Sequence, residues 1–178
     1  MDAVASGVRI RPWQADDAEA LHALVQASQP ALAAWLPWCR HGYGIDDARG
    51  WTARSMAAWD ARSEFPFAVV DEDDALLGGT GLSRLNPSRR SANLGYWTGA
   101  PFIRRGIASE AARQTARFGF GELALQRIEI LALPDNVASL GVARKLGATR
   151  EGIAHKALHY DGQPCDAWLH SLTPDDLP

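Results

Sequence analysis

The first third of the chain places apolar residues at the spacing of a short strand and then of two helices. The β-branched run Val8–Ile10 predicts an opening strand. A helix should begin at 14–17 and run to about Ser28, where Pro30 closes it. Trp35–Gly42 predicts a loop because Pro and Gly interrupt it, and Asp46–Ala61 predicts a second helix. The apolar stripe of the first helix would consist of Ala20, Leu21, Leu24 and Val25.

The middle of the chain carries strand-like runs separated by turn residues. Phe65–Val70, Ala75–Leu82 and Ala92–Thr98 are rich in apolar, β-branched and aromatic side chains. The acidic segment 71–74 and the Asn-Pro-Ser segment at 86–88 supply the turns between them. This order predicts a meander of neighbouring antiparallel strands.

After Thr98 the spacing of apolar residues changes from that of strands to that of helices, and then alternates between the two. We predict a helix over Gly106–Phe120, a buried strand over Gln126–Leu133 and a helix over Asn136–Leu146 ended by Gly147. A last hairpin over Ala154–Leu172 should turn at Asp161 and Gly162. Without a linker or repeat, residues 1–178 are expected to form a single α+β domain with helices packed on both faces of a mixed sheet.

The composition limits the classes of binding partner and the cellular compartment that we expect for the protein. The 178 residues are 47% hydrophobic and 22% charged, as in an ordinary globular domain, and 18 Lys+Arg stand against 21 Asp+Glu. This charge balance argues against nucleic acid or an anionic membrane as a partner, although a local basic cluster can still hold a small anion. Cys39 and Cys165 lie far apart, and the N-terminus has no sustained apolar run. We therefore expect a soluble, cytoplasmic protein.

A basic turn precedes the predicted helix at 106–120. A glycine turn that leads into a helix leaves backbone N–H groups free at the positive end of the helix dipole, where a phosphate can bind. Arg104 and Arg105 add positive charge, and Gly106 lets the backbone approach a ligand, with Ile107 and Ala108 following. By themselves, however, these residues are more often just a solvated helix start than a phosphate site. The turn is neither a Walker loop nor a three-glycine dinucleotide fingerprint.

Five short motifs stand along the second half of the chain: Asn93-Leu94-Gly95-Tyr96-Trp97, Arg105 to Ala111, Asn136-Val137-Ala138-Ser139, Lys145 to Ala148 and Glu151-Gly152. In this order and spacing they resemble the GNAT acetyltransferases, and in particular the RimJ/RimL-like branch of ribosomal-protein N-acetyltransferases. The resemblance covers about residues 9 to 172. It implies a mostly antiparallel sheet in which two central parallel strands splay apart, here those ending near Thr98 and beginning near Arg127.

The resemblance further implies a site for acetyl-CoA as co-substrate, without a metal. The pantetheine arm would pair with the backbone of Tyr96, Trp97 and Thr98, and the pyrophosphate would sit on the turn from Arg104 to Ala108. Asn136 and Ser139 match positions that contact the cofactor, and Ser139 would give a proton to the departing thiolate. The alternative for Asn136 is a helix N-cap, and for Ser139 a surface hydroxyl.

Several positions depart from the family pattern. Ile103 stands where a polar residue commonly begins the phosphate turn, and Asn93 stands where many members have an acid. The tyrosine that serves as acid in many other GNAT enzymes falls at Ala143, and the glutamate proposed as base in RimL-like enzymes falls near Leu158. His159 is the nearest titratable side chain, and His155 with His159 more simply forms a polar strand face than a metal site.

The acceptor predicted by the resemblance is a primary amine, most specifically the α-amine of a protein or peptide N-terminus. Trp35 and Trp38 in the loop up to His41, and Tyr160 on the last hairpin, would line its pocket. Small-molecule amines (a polyamine, an amino acid or an aminoglycoside) and a non-catalytic acyl-CoA-binding module remain alternatives, as do a monomer and a homodimer. The tryptophans could equally be helix packing: Trp35, Trp38, Trp51 and Trp59.

Overall fold

A computed structural model describes residues 7–39 and 42–177. The strands are β1 (Arg9–Pro12), β2 (Phe65–Val70), β3 (Leu76–Asn86), β4 (Ser91–Thr98), β5 (Arg127–Ala132), β6 (Thr149–Tyr160) and β7 (Gln163–Leu172). The α-helices are α1 (Asp17–Ala33), α2 (Ile45–Asp60), α3 (Ile107–Gly121) and α4 (Val137–Lys145). Short 3₁₀ turns cover Ala100–Phe102 and Pro174–Asp176.

The strands form one seven-stranded sheet in the order β1-β2-β3-β4-β5-β7-β6. Every neighbouring pair is antiparallel except β4 and β5, which are parallel because α3 carries the chain back between them. The predicted mixed sheet and the β2–β3–β4 meander are therefore confirmed.

The parallel pair opens along its length. β4 and β5 pair at Ser91 with Arg127, Ala92 with Ile128 and Asn93 with Glu129, and no further pair follows. Beyond that point β4 remains paired to β3 as far as Thr98, and β5 remains paired to β7 as far as Ala132. The two strands thus splay apart, as the family resemblance implies, and one edge of β4 is left without a strand partner.

Helices cover both faces of the sheet. On one face α1 packs through Leu21, Leu24 and Val25 against the inner side of β2 and β3. On the other face α3 packs through Ala112 and Ala116 against β4 and β5, so close helix-to-sheet contact rests on small side chains. Helices therefore lie on both sides of the opening between β4 and β5.

Three details of the predicted elements are wrong. The first helix does not end at Pro30 but continues to Ala33. Proline lacks an N–H and its ring crowds the carbonyl of the preceding turn, but burial of Leu32 beyond it favours continuation of the helix. Ala20 is exposed rather than part of the apolar stripe, since it lies about 100° around the helix from Leu21. β6 begins at Thr149, earlier than the predicted Ala154.

The last hairpin turns where it is predicted to turn. Asp161 and Gly162 both have positive φ, of 56° and 73°, as a two-residue hairpin turn requires. Among the helices of the described residues, none has both the length and the apolarity to cross a membrane.

Candidate active site

The turn before α3 has the backbone geometry of an anion site. Gly106 is the N-cap of α3 with a left-handed φ of 78°, and no side chain caps the helix. The first N–H groups of α3 therefore point out of the helix end without a cap residue to receive them. Ile107 is buried, so its side chain anchors the helix while only its N–H faces the turn.

The two arginines of this turn are placed differently. Arg104 itself has a positive φ of 63°, an uncommon conformation for a residue with a Cβ. The guanidinium of Arg105 lies over the ring of Phe102 at 5.7 Å from its centroid. Ala108 follows in the first turn of α3, so the predicted pyrophosphate residues 104–108 lie together on one backbone segment.

The free edge of β4 begins directly after Asn93, which makes the last pair with β5. Side chains alternate along this strand, so Tyr96 and Thr98 point towards α3 and α4 while Trp97 points towards α1 and α2. The hydroxyl of Thr98 is buried and has no hydrogen-bond partner within the described residues. An unpaired strand edge with an unused buried hydroxyl fits a ligand that pairs with the strand backbone, as a pantetheine arm does.

Tyr96 and Ser139 connect β4 to α4 across the opening. The Tyr96 hydroxyl donates to the main-chain carbonyl of Ser139 at 2.9 Å, and the Ser139 hydroxyl donates to Tyr96 Oη at 3.2 Å. Burial raises the pKa of Tyr96 to about 12, so the phenol is neutral at physiological pH. The two hydroxyls form one hydrogen-bonded pair on the α4 side of the opened strands.

Asn136 is the N-cap of α4. Its side-chain oxygen accepts the backbone N–H of Ser139 at 3.1 Å, as the capping alternative requires. That contact leaves only the amide NH₂ of Asn136 for another partner. Asn136 therefore fixes the first turn of α4, from which Ser139 projects towards Tyr96.

A cavity of about 420 Å³ lies on the opposite face of the sheet, between α1, α2 and the strands β3 and β4. Its wall is largely aromatic and its strand floor includes glycines, while its charged side chains are Asp47, Arg54 and Glu64. The segment Gly95–Trp97 of β4 belongs to its lining. The splayed strand therefore separates this cavity from the α3 and α4 side. The aromatic lining consists of Trp13, Trp38, Tyr43, Trp51 and Trp97.

The residues predicted to bind the acceptor are only partly brought together. Trp38 lines the cavity and contacts Trp97, with ring centroids 5.7 Å apart. Trp35 is partly exposed outside the lining, and Tyr160 lies at the end of α1, where its hydroxyl donates to the carbonyl of Ala33 at 3.4 Å. The last two residues of the predicted loop, 40 and 41, lie outside the described residues.

The tryptophans divide between lining and packing. Trp51 lines the cavity with Trp38. Trp59 instead packs edge-on against Phe65 and Phe67, at 4.9 and 5.1 Å between ring centroids, and its indole N–H donates to the carbonyl of Pro66 at 2.7 Å. Pocket lining and core packing, the two roles predicted for the tryptophans, thus both occur, in different residues.

The positions that lack the family carboxylates are not near one another. Asn93 ends the paired part of β4, and its side-chain oxygen is buried without a partner among the described residues. Leu158 is opposite Cys165 on the last hairpin, and His159 beside it is exposed. His155 Nδ1 lies 3.0 Å from Asp166 Oδ2, which gives this histidine a carboxylate partner rather than a second histidine.

Sequence reasoning missed Trp13 and Tyr43 as parts of the cavity. Trp13 follows β1 and meets Trp51 of α2 edge-on at 6.5 Å, a contact between segments 38 positions apart that no local pattern signals. Tyr43 precedes α2 and contacts Trp38 at 5.9 Å between ring centroids. The only available signal was the aromatic density of the segment from Trp35 to Trp51.

The opened strand pair, with an uncapped helix start on one side and a cavity on the other, matches the arrangement that the resemblance to the acetyltransferases implies. A family model described as acetyltransferase (GNAT) domain matches residues 8–149. The chain belongs to the GNAT acetyltransferase family.

Relatives and solved structures place it further within that family. The Bacillus subtilis protein named "Putative ribosomal N-acetyltransferase YdaF" is 30% identical over 170 residues, covering 93% of this chain and 90% of that protein. RimJ of Mycobacterium smegmatis, solved with a CoA-disulfide, is 27% identical with a TM-score of 0.85, covering 98% of this chain and 85% of that one. The ribosomal-protein-S5-alanine acetyltransferase of Vibrio fischeri is 25% identical with a TM-score of 0.82, covering 97% and 96%.

Proposed function

We propose that this N-acetyltransferase moves the acetyl group of acetyl-CoA to the α-amine of a protein or peptide N-terminus. The observation that carries the proposal is the opening between β4 and β5 after Asn93 and Glu129, which gives the cavity and the α3–α4 side access to the same strand segment. The names of similar proteins, a ribosomal N-acetyltransferase and a ribosomal-protein-S5-alanine acetyltransferase, support a protein acceptor.

The residues on the α3–α4 side fit CoA by their chemistry. The uncapped start of α3 after Gly106 offers backbone N–H groups to a diphosphate, and Arg104 and Arg105 add positive charge. The free edge of β4 at residues 96–98 offers backbone groups to the amides of a pantetheine arm. Acetyl-CoA would supply the activated acetyl group at the opening.

The transfer forms a C–N bond and breaks a C–S bond. The backbone N–H of Thr98, on the free β4 edge, would stabilise the negative charge that develops on the carbonyl oxygen. Ser139, which Tyr96 holds beside the opening, would turn its hydroxyl to the departing sulfur and donate its proton to the thiolate. Ser139 would regain a proton from the water that carries away the proton lost by the amine.

The acceptor amine loses its proton without a strong base. An α-amine has a pKa of about 8, so a usable neutral fraction exists at physiological pH and water can carry the proton away. Asp47 and Glu64 outnumber Arg54 in the cavity wall, so its net negative charge attracts the cationic form of the amine. The lack of a carboxylate at Asn93 is therefore compatible with turnover.

The experiment is an acceptor panel with acetyl-CoA, containing N-terminal peptides, N-acetylated copies of the same peptides and small amines. Released thiol gives the rate, and mass spectrometry locates the acetyl group. We expect acetylation of free N-termini and none of the blocked copies. Transfer to lysine or small amines only would refute the α-amine acceptor, and CoA binding without turnover on any amine would favour the non-catalytic module.

Ser139→Ala tests the assigned proton donor. Loss of a general acid lowers kcat by about 100-fold, with little change in the KM for acetyl-CoA. Ser88→Ala is the matched control, because Ser88 is exposed in the turn between β3 and β4, away from the opening. Equal kcat values for the two variants would remove Ser139 from the reaction.

A further inference from the structure

The cavity on the α1–α2 side offers its occupant apolar contact rather than hydrogen bonds. Its aromatic wall is continuous in two places, where Trp38 contacts both Tyr43 and Trp97 and where Trp13 contacts Trp51. Leu21, Leu36 and Pro66 add aliphatic surface. Rings and aliphatic groups at these positions favour burial of apolar surface by the occupant.

The floor of the cavity leaves space for a bulky group beside β4. Gly95 belongs to the lining, and a Cβ built on it would meet no heavy atom within 4 Å. A Cβ at Gly79 would instead lie 2.5 Å from Trp97 Nε1, so the indole of Trp97 packs directly over that glycine. The cavity is therefore open at Gly95, on the strand segment that borders the opening.

Polar groups in the cavity are few. The charged side chains Asp47, Arg54 and Glu64 are all exposed, and the indole N–H of Trp13 is buried without a partner among the described residues. The β3 and β4 residues of the floor pair with each other, Gly81 with Gly95 and Gly79 with Trp97, so the sheet uses their backbone groups. A peptide group pushed into this space would lose water and find few replacement partners, whereas an apolar side chain needs none.

We propose that the acceptor carries a bulky apolar group on the carbon that bears its amine, so that an N-terminal Phe, Trp, Leu or Met is preferred over Ser or Ala. This inference rests on the proposed function for the position of the amine. The amine meets the opening at Gly95–Trp97, the apolar side chain fills the cavity of about 420 Å³, and the rest of the peptide leaves past Asp47 and Glu64.

The test compares peptides that differ only in their first residue, Ser, Ala, Leu, Phe or Trp. It also compares the amides of phenylalanine and alanine as small amines. Burial of about 100 Å² more apolar surface predicts that kcat/KM for the Phe or Leu peptide exceeds that for the Ser peptide by about 10- to 100-fold. Equal values, or a preference for Ser or Ala, would overturn the inference and leave the proposed function intact.

If no peptide reacts but the amides do, the proposed peptide acceptor fails, and the ratio of the two amides still tests the apolar preference. A phenylalanine amide at least 10-fold better than alanine amide supports it. A ratio near one overturns it.

Two variants tie the preference to the cavity. Trp51→Ala removes part of the aromatic wall and should reduce the Phe-to-Ser ratio severalfold, whereas Met56→Ala, on the exposed side of the same helix, should leave it unchanged. Gly95→Leu fills the space beside β4 without a positive φ to strain the backbone, and should raise the KM of the Phe peptide more than that of the Ser peptide. A Phe-to-Ser ratio that survives both changes would show that the preference arises elsewhere.

Discussion

Removal of the Tyr96 hydroxyl is the most informative single change at the opened strands. Tyr96→Phe deletes one oxygen that takes part in two hydrogen bonds, at 2.9 Å to the Ser139 carbonyl and at 3.2 Å from the Ser139 hydroxyl. The ring itself stays, so the packing of Tyr96 against the α3–α4 core is retained. The change isolates the link between β4 and α4.

The structure sets the size of the expected effects. Each hydrogen bond contributes about 1 kcal/mol net, so the variant should lose about 2 kcal/mol of stability. For a domain of this size that corresponds to a fall in Tm of about 4–8 °C. If Ser139 needs Tyr96 to hold its hydroxyl, kcat should fall about 10-fold, the equivalent of about 1.4 kcal/mol, while the KM for acetyl-CoA stays nearly constant.

A double-mutant cycle with Ser139→Ala separates positioning from general damage. Residues that act through the same step are not additive, so Tyr96→Phe should cost little further kcat once Ser139 is alanine. Steady-state thiol release below 40 °C, on protein shown to be folded by its thermal transition, gives the four rates. Because Tyr96 titrates near pH 12, its removal should leave the pH profile below pH 9 unchanged. Additive losses, or an unchanged kcat in Tyr96→Phe, would refute the positioning role.

Two further predictions concern the helix start and the sheet edge. Gly106→Ala forces a Cβ into a left-handed φ of 78°, which costs about 1–2 kcal/mol. The variant should bind acetyl-CoA about 10-fold more weakly in calorimetry. Gly121→Ala, at the far end of α3, is the control, and equal affinity of the two variants for acetyl-CoA would contradict the site. Arg127 and Ser171 hold the pKa of Glu151 at about 2, below its usual 4.5, so the stability that Glu151 adds is complete above about pH 4.5 and is lost as pH falls towards 2. The gap in Tm between the natural protein and Glu151→Gln should therefore close over that window, and a constant gap from pH 7 to pH 2 would show that the ion pair contributes nothing.

Local patterns predicted most helices and strands because the spacing of apolar residues agrees with the secondary structure that each segment forms. The hairpin at Asp161 and Gly162, the helix after Gly106 and the strand at Arg127–Ala132 all follow from turn residues and spacing that stand next to each other in the sequence. Pro30 misled because a buried residue beyond it, Leu32, keeps the helix going, and burial is a property of the folded molecule.

The candidate site was less accessible to sequence reasoning for the same reason. The motifs placed the turn at Arg104–Ala108 and the pair Asn136 and Ser139, each of which is local. The contact of Tyr96 with Ser139 spans 43 positions and the contact of Trp13 with Trp51 spans 38. Such contacts depend on sheet order and helix packing, so no window of sequence contains them.

A crystal structure of the protein soaked with acetyl-CoA tests the central claim most directly. We predict density for the diphosphate at the backbone of residues 104–108, and for the thioester at the free edge of β4 beyond the Asn93–Glu129 pair, with the aromatic cavity still open. Density for the diphosphate away from α3, or for the pantetheine arm inside the aromatic cavity, would contradict the account.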